Sequence, residues 1–253
     1  MSTENLDPTC EKALADKDIV SGDADVPGSG TVHKVGDLDI YVVGEGPRCI
    51  ILIYDIFGFA PVNTRQNCER LAAKGFMVVM PDLFRGSGRR TEGFQPPSPG
   101  KADREILDIV MPFSVKHGAR VFGILGFCWG GGCAMRLARS GRFAAAGGIH
   151  AAYIKRDSGE NFLDVTKALC PIMLLQAGND PSLSEVNDAL RGLEPTSMVA
   201  RHSVLRTYWD MNHGWCGATG ERNTDARIRA ATESALVTTI EFFSRTLRFM
   251  NAD

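Results

Sequence analysis

From residue 38 onward, short uninterrupted apolar runs alternate with longer stretches whose apolar residues recur at helical spacing. Cys49–Tyr54 (CIILIY), Phe76–Met80 (FMVVM), Val121–Leu125, Ala144–Ile149 and Pro171–Gln176 (PIMLLQ) are such runs. A strand that carries apolar side chains on both faces is one that is covered on both faces, as in a parallel sheet. Leu38–Val43 alternates apolar with polar and leads into the turn Gly44-Glu45-Gly46-Pro47. Val199–Trp209 reads as a further strand, with His202 inside it. Between these segments, Val62–Lys74, Lys101–Lys116, Cys133–Ser140, Ser182–Leu193 and Arg222–Phe249 carry the spacing of helices, and Gly75 ends the first of them. Strands that alternate with helices predict an α/β fold: a doubly wound, mostly parallel sheet flanked by helices.

Two stretches lack either period. Residues 1–30 are polar and read as a partly ordered or disordered leader that closes at Pro27-Gly28-Ser29-Gly30. Residues 85–100 (RGSGRRTEGFQPPSPG) form a Gly/Pro/Arg loop too long to be a mere connector, a length that is often functional. No internal repeat or linker interrupts the remainder, so residues 31–253 are expected to form a single domain.

Composition narrows the functional classes. The 253 residues are 44% hydrophobic and 23% charged, enough for one well-buried core. A net charge of −2 provides no basic field for nucleic acid or an anionic membrane. The apolar runs are far too short to span a bilayer. Residues 1–24 are acidic and lack the apolar core of a signal peptide, so the expected compartment is the cytoplasm. Seven cysteines without framework spacing agree with a reducing compartment. With no Cys-x-x-Cys or Cys/His cluster, neither a metal nor another cofactor is expected. Oligomeric state is not legible.

The candidate chemistry centres on Cys128, in Gly126-Phe127-Cys128-Trp129-Gly130-Gly131, between an apolar strand and a helix. A sharp strand-to-helix turn needs small neighbours, lifts its apex side chain off the sheet and opens a helix whose N–H groups favour developing negative charge. Cys128 is therefore a candidate nucleophile, against the plainer reading of a small buried residue in a packing turn. A thiol nucleophile needs a base, and the base needs an orienting group. Asp180 follows the strand Pro171–Gln176 in a Gly-Asn-Asp-Pro turn, where an Asx turn is the plainer role. His33 and His117 read as surface residues and His202 as a strand residue, while His150 ends a strand at a sheet edge, where it could border the pocket but nothing positions it as a base. His213, in Asn212-His213-Gly214-Trp215, lies in a loop expected on the same sheet edge as Cys128 and Asp180. Nucleophile, acid and histidine then follow one another in the order that α/β-hydrolases use.

The motifs IYDIFGF (53–59), MPDLFRG (80–86), GFCWGG (126–131), AGNDP (177–181) and NHGW (212–215) resemble the dienelactone hydrolase family, carboxymethylenebutenolidase-like proteins with the α/β-hydrolase fold. GDLDIYVVGEG (36–46) is similar to its eukaryotic-type members. The resemblance implies Cys128 as nucleophile, His213 as base and then acid, and Asp180 as the group orienting His213. It implies an oxyanion hole from the backbone N–H groups of Ile56 and Trp129. At the place of Asp55 the family carries a glutamate that helps control thiol ionisation, so Asp55 is a candidate for tuning the thiol or for capping its loop. Family arginines hold a substrate carboxylate; Arg85, Arg89, Arg90 and Arg104 are the candidates here, Arg85 and Arg104 foremost. This chain departs from the family in a shorter segment before the elbow and in an arginine displaced to Arg222 by CGATGE. Phe57, Phe59, Trp129 and Trp215 lie beside these residues and could wall an apolar pocket.

The function expected is hydrolysis of a small-molecule ester or lactone through a thioester acyl-enzyme, with neither nucleic acid nor membrane as partner. Two alternatives stay open: a general carboxylesterase or thioesterase, and a redox-sensing or binding module in which Cys128 is oxidised rather than catalytic.

Overall fold

A single mixed sheet runs through the computed structural model, which describes residues 29–152, 165–218 and 224–248. Its strands are β1 (Thr31–Val35), β2 (Leu38–Val43), β3 (Arg48–Ile53), β4 (Met77–Pro81), β5 (Val121–Phe127), β6 (Ala145–Ile149), β7 (Ile172–Ala177) and β8 (Val204–Tyr208). They lie in the order β1-β2-β4-β3-β5-β6-β7-β8. β2 pairs antiparallel with β1 and β4, and the pairs from β4 to β8 are parallel. The helices are α1 (Val62–Ala72), α2 (Pro99–Glu105), α3 (Met111–Lys116), α4 (Trp129–Leu137), α5 (Ser184–Arg191), α6 (Met198–His202) and α7 (Ala226–Thr246). This is the α/β-hydrolase fold: eight strands, mostly parallel, flanked by helices.

The continuous apolar runs form the middle of the sheet, and β4, β6 and β7 are buried along their whole length. Parallel strands leave no solvent-facing side, so the positions are apolar or small apart from Gln176, whose amide pairs with the Ala151 peptide. Glycines make room for the last helix: a Cβ on Gly123 would lie 2.6 Å from the Phe243 ring, and one on Gly147 3.5 Å from it. Phe243, fully buried on α7, thus rests on a glycine floor in β5 and β6.

Several elements differ from the sequence reading. β1 was not expected; it pairs with β2 through Thr31–Val35, a segment whose exposed pattern gives no core signal. The helix expected over 101–116 starts at Pro99 and passes through a π turn, Ile106–Val110, before Pro112. Proline has no N–H and its ring crowds the carbonyl four residues back, so the helix widens there rather than continuing. α4 begins at Trp129, not at Cys133, because Gly130–Gly132 are helical residues that permit close approach and not a loop. His202 ends α6 instead of lying in a strand: Ser197 caps that helix by accepting from the Ala200 N–H, and β8 begins only at Val204. The leader expected over 1–30 falls outside the described residues except for Ser29 and Gly30. Arg222 and the outer ends of the last helix also fall outside. No described helix is long and apolar enough to cross a membrane.

Candidate active site

β5 delivers Cys128 through a turn that few residues can make. Cys128 has φ 49° and ψ −114°, outside the regions open to most L-residues. The turn closes only because its neighbours lack side chains. A Cβ on Gly126 would stand 1.9 Å from the Gly130 carbonyl oxygen, and one on Gly130 would stand 2.3 Å from that of Ile53. The Cys128 carbonyl accepts from Gly131 and Ala152, which ties the apex to α4 and to the end of β6. The thiol is thus held above the carboxyl ends of β3, β5 and β6, at the first residue before a helix N-terminus.

His213 and Asp180 arrive from further along the same edge. Asp180 follows β7, and its Oδ2 accepts from the Ala177 N–H at 2.7 Å, which fixes the carboxylate against the strand end. Its Oδ1 lies 2.5 Å from His213 Nδ1, and His213 Nε2 lies 3.2 Å from Cys128 Sγ. The side chains of His213 and Asp180 are only 4% and 1% exposed. An ionised carboxylate can only accept, so the ring proton belongs on Nδ1, which leaves Nε2 to take the thiol proton. Burial strengthens both bonds by removing competing water. The arrangement can generate a thiolate–imidazolium pair.

Ile56 begins the loop after β3 and Trp129 follows Cys128. Among the described residues neither of their N–H groups donates to a backbone carbonyl. The peptide carbonyl of Ile56 accepts from the Arg89 N–H at 2.8 Å, so the long loop after β4 braces the loop that carries Ile56. That long loop is itself anchored by aromatics: Phe84 packs on Tyr54, Phe94 and Trp129 with ring centres 4.8–4.9 Å apart. Phe57 and Phe59 are half-buried and pack against the core, and Trp215 is buried beside His150. Asp55 is buried, with Oδ1 accepting from Phe57 N–H and Oδ2 from Ala218 N–H.

Two of the arginines singled out from sequence differ in how they are held. All five N–H donors of Arg85 are engaged, by Asp37, by Glu105 and by the Asp82 carbonyl. Arg104 is exposed on α2. Two features of the site were missed in the sequence, Asn179 and the pair Asn63 and Asn67. Asn179 Oδ1 accepts from the His213 N–H at 2.7 Å and so fixes the backbone at His213; its only signal was adjacency to Asp180. Asn63 and Asn67 on α1 donate to the carbonyls of Ala218 and Cys216, each at 3.2 Å. Their spacing of four on one helix face was the available signal. His150, fully buried with φ 38°, packs edge-on to His213 at 4.9 Å and to Trp215 at 5.4 Å.

Comparison with known proteins shows which family the chain resembles. The family model described as dienelactone hydrolase family matches residues 41–247. A carboxymethylenebutenolidase homolog from Homo sapiens is 30% identical over 203 residues, covering 74% of this chain and 80% of that protein. Hydrolase pyvD from Aspergillus violaceofuscus is 28% identical over 141 residues, 51% of this chain and 58% of that one, so the match spans little over half of that relative. Among solved structures, a dienelactone hydrolase from Anabaena variabilis superposes with a TM-score of 0.59 at 17% identity, covering 87% of this chain and 97% of that one. At that identity the superposition speaks for the fold alone.

Proposed function

The chain belongs to the dienelactone hydrolase family, and from that premise we propose that it hydrolyses small esters or lactones with Cys128 as nucleophile. The observation that carries this reading is the unbroken line from Cys128 Sγ through both ring nitrogens of His213 to Asp180. In the first half-reaction the thiol proton passes to His213 Nε2 and the thiolate attacks the substrate carbonyl carbon. The carbonyl π electrons move to oxygen, and the resulting oxyanion rests on the N–H groups of Trp129 and Ile56. Removing one such donor typically raises the barrier by about 3 kcal/mol. Collapse expels the alkoxide, which takes the proton from His213, and leaves a thioester on Cys128. In the second half, His213 draws a proton from water, the hydroxide adds to the thioester, and the thiolate departs as the carboxylic acid forms.

Thiolates suit esters and lactones whose leaving groups need little protonation. The engagement of Arg85 by two carboxylates favours a substrate recognised without a carboxylate at that arginine. This supports an ester or lactone scope broader than dienelactone itself, in the direction of a general carboxylesterase or thioesterase.

The test is direct. Cys128→Ala should keep its circular dichroism spectrum and lose ester turnover to background, and mass spectrometry of wild type quenched during turnover should find an acyl adduct on Cys128. Undiminished turnover in Cys128→Ala would remove the thiol from the mechanism.

A further inference from the structure

The oxyanion loop and the histidine loop come from opposite ends of the chain, yet the proposed chemistry needs their atoms in one fixed relation. One side chain touches both. Asp55 lies just past β3, and its Oδ1 accepts from the Phe57 N–H at 3.0 Å, one residue after the proposed donor Ile56. Its Oδ2 accepts from the Ala218 N–H at 2.8 Å, at the far end of the loop that begins with His213. The first bond is a local turn contact of the kind any Asx residue makes. The second spans 163 residues.

Gly217 lets this contact form. A Cβ there would stand 2.5 Å from Asp55 Oδ2 and 3.1 Å from the His150 ring, so a side chain at 217 would push the carboxylate off the loop. Asn63 and Asn67 also hold the 216–218 backbone, but they tie it to α1 and not to the loop carrying Ile56. Bonds to an ionised acceptor are the stronger kind, and losing one would leave a buried N–H without its partner.

We propose that Asp55 is a positioning residue whose carboxylate fastens the oxyanion loop (55–58) to the histidine loop (213–218), setting the distance between the oxyanion donors and the imidazole. This rests on the cysteine-hydrolase reading above and adds to it a joint within the site. It differs from a direct action on thiol ionisation, because the effect passes through the two backbones. Displacing reacting groups by about 1 Å can cost roughly a hundredfold in rate.

The experiment compares wild type with Asp55→Ala and Asp55→Asn in three measurements: kcat and KM for an activated ester, the pH midpoint of Cys128 alkylation by iodoacetamide, and hydrogen–deuterium exchange. Asp55→Ala should lower kcat roughly a hundredfold while KM stays within about twofold. Asp55→Asn, which keeps one acceptor oxygen, should fall between. The alkylation midpoint should stay at its wild-type value, because Asn179 and Asp180 still hold His213 beside Cys128 and the displacement falls on the loop carrying Ile56, and exchange should quicken in peptides covering both 55–58 and 213–218. A wild-type kcat in both variants, an alkylation midpoint that moves together with kcat, or exchange that rises in one loop alone would each overturn the proposal. If the alanine variant does not fold, the near-isosteric asparagine variant carries the comparison. Exchange needs no substrate, so the joint is tested even if no ester or lactone is turned over, and that failure would count against the hydrolase reading instead.

Discussion

Cys128 is one of several buried thiols, and what separates them is what each one faces. Burial pushes the Cys49 and Cys170 thiols up to about 12, and Cys68 is raised in the same way. At Cys133 burial outweighs the adjacent Arg136 guanidinium and the thiol still rises to about 11. A thiol held that high stays protonated at pH 8, whereas alkylation proceeds through the thiolate. Cys128 instead meets an imidazole nitrogen at 3.2 Å that can accept its proton. Native protein treated with iodoacetamide at pH 8 should therefore be modified at Cys128 before Cys49, Cys68, Cys133 or Cys170, as read by peptide mass mapping. Faster labelling at any of those four would show that the imidazole does not govern reactivity. The positive φ of Cys128 and His150, side by side at the ends of β5 and β6, belongs to the same scale. Such backbone strain costs on the order of 1–3 kcal/mol per residue and persists where the surroundings over-determine it.

At the scale of elements, the strand–elbow–helix unit of β5 and α4 is held by packing that tolerates no added atoms. Gly130 faces the carbonyls of Ile53 and Tyr54, and Gly131 faces Ala151, whose Cβ would be 2.5 Å from one added there. Backbone carbonyls cannot swing aside as a flexible side chain can. Gly130→Ala should destabilise the protein by about 3 kcal/mol through overpacking. In a domain of this size that corresponds to a fall in Tm of roughly 6–12 °C. Scanning calorimetry reads it directly, and a wild-type Tm would mean that the elbow yields without cost. The sequence pattern Gly-x-Cys-x-Gly was legible as an elbow because a tight turn imposes a residue-type requirement that can be read locally. The start of α4 was not, because glycine reads as a breaker until the neighbouring strand that requires its smallness is in place.

At the scale of the molecule, the sheet separates stability from chemistry. Phe243 of α7 packs on Gly123 and Gly147 within the strands, whereas Cys128, Asp180 and His213 all lie beyond the carboxyl ends of theirs. Truncating a buried phenylalanine costs about 3–5 kcal/mol. Phe243→Ala should lower the urea midpoint accordingly while kcat of the folded fraction stays within about twofold of wild type. A kcat that fell in step with stability would show that α7 reaches the site through the sheet.

What the chain determined by itself is what depends on local pattern. Continuous apolar runs announced β3, β4, β6 and β7, and the order of Cys128, Asp180 and His213 along the chain set those three residues beyond the ends of β5, β7 and β8. Tertiary structure decided what depends on distance across the chain. Arg85 looked free for a substrate until Asp37, 48 residues away, and Glu105, 20 residues away, closed on it. Asp55 could be named but its reach to Ala218 could not, and Asn63 and Asn67 on α1 and Asn179 after β7 gained their roles only when the 213–218 loop met them. Periodicity and turn chemistry are written in neighbouring residues; a hydrogen bond between distant segments exists only once the fold has brought its donor and acceptor together.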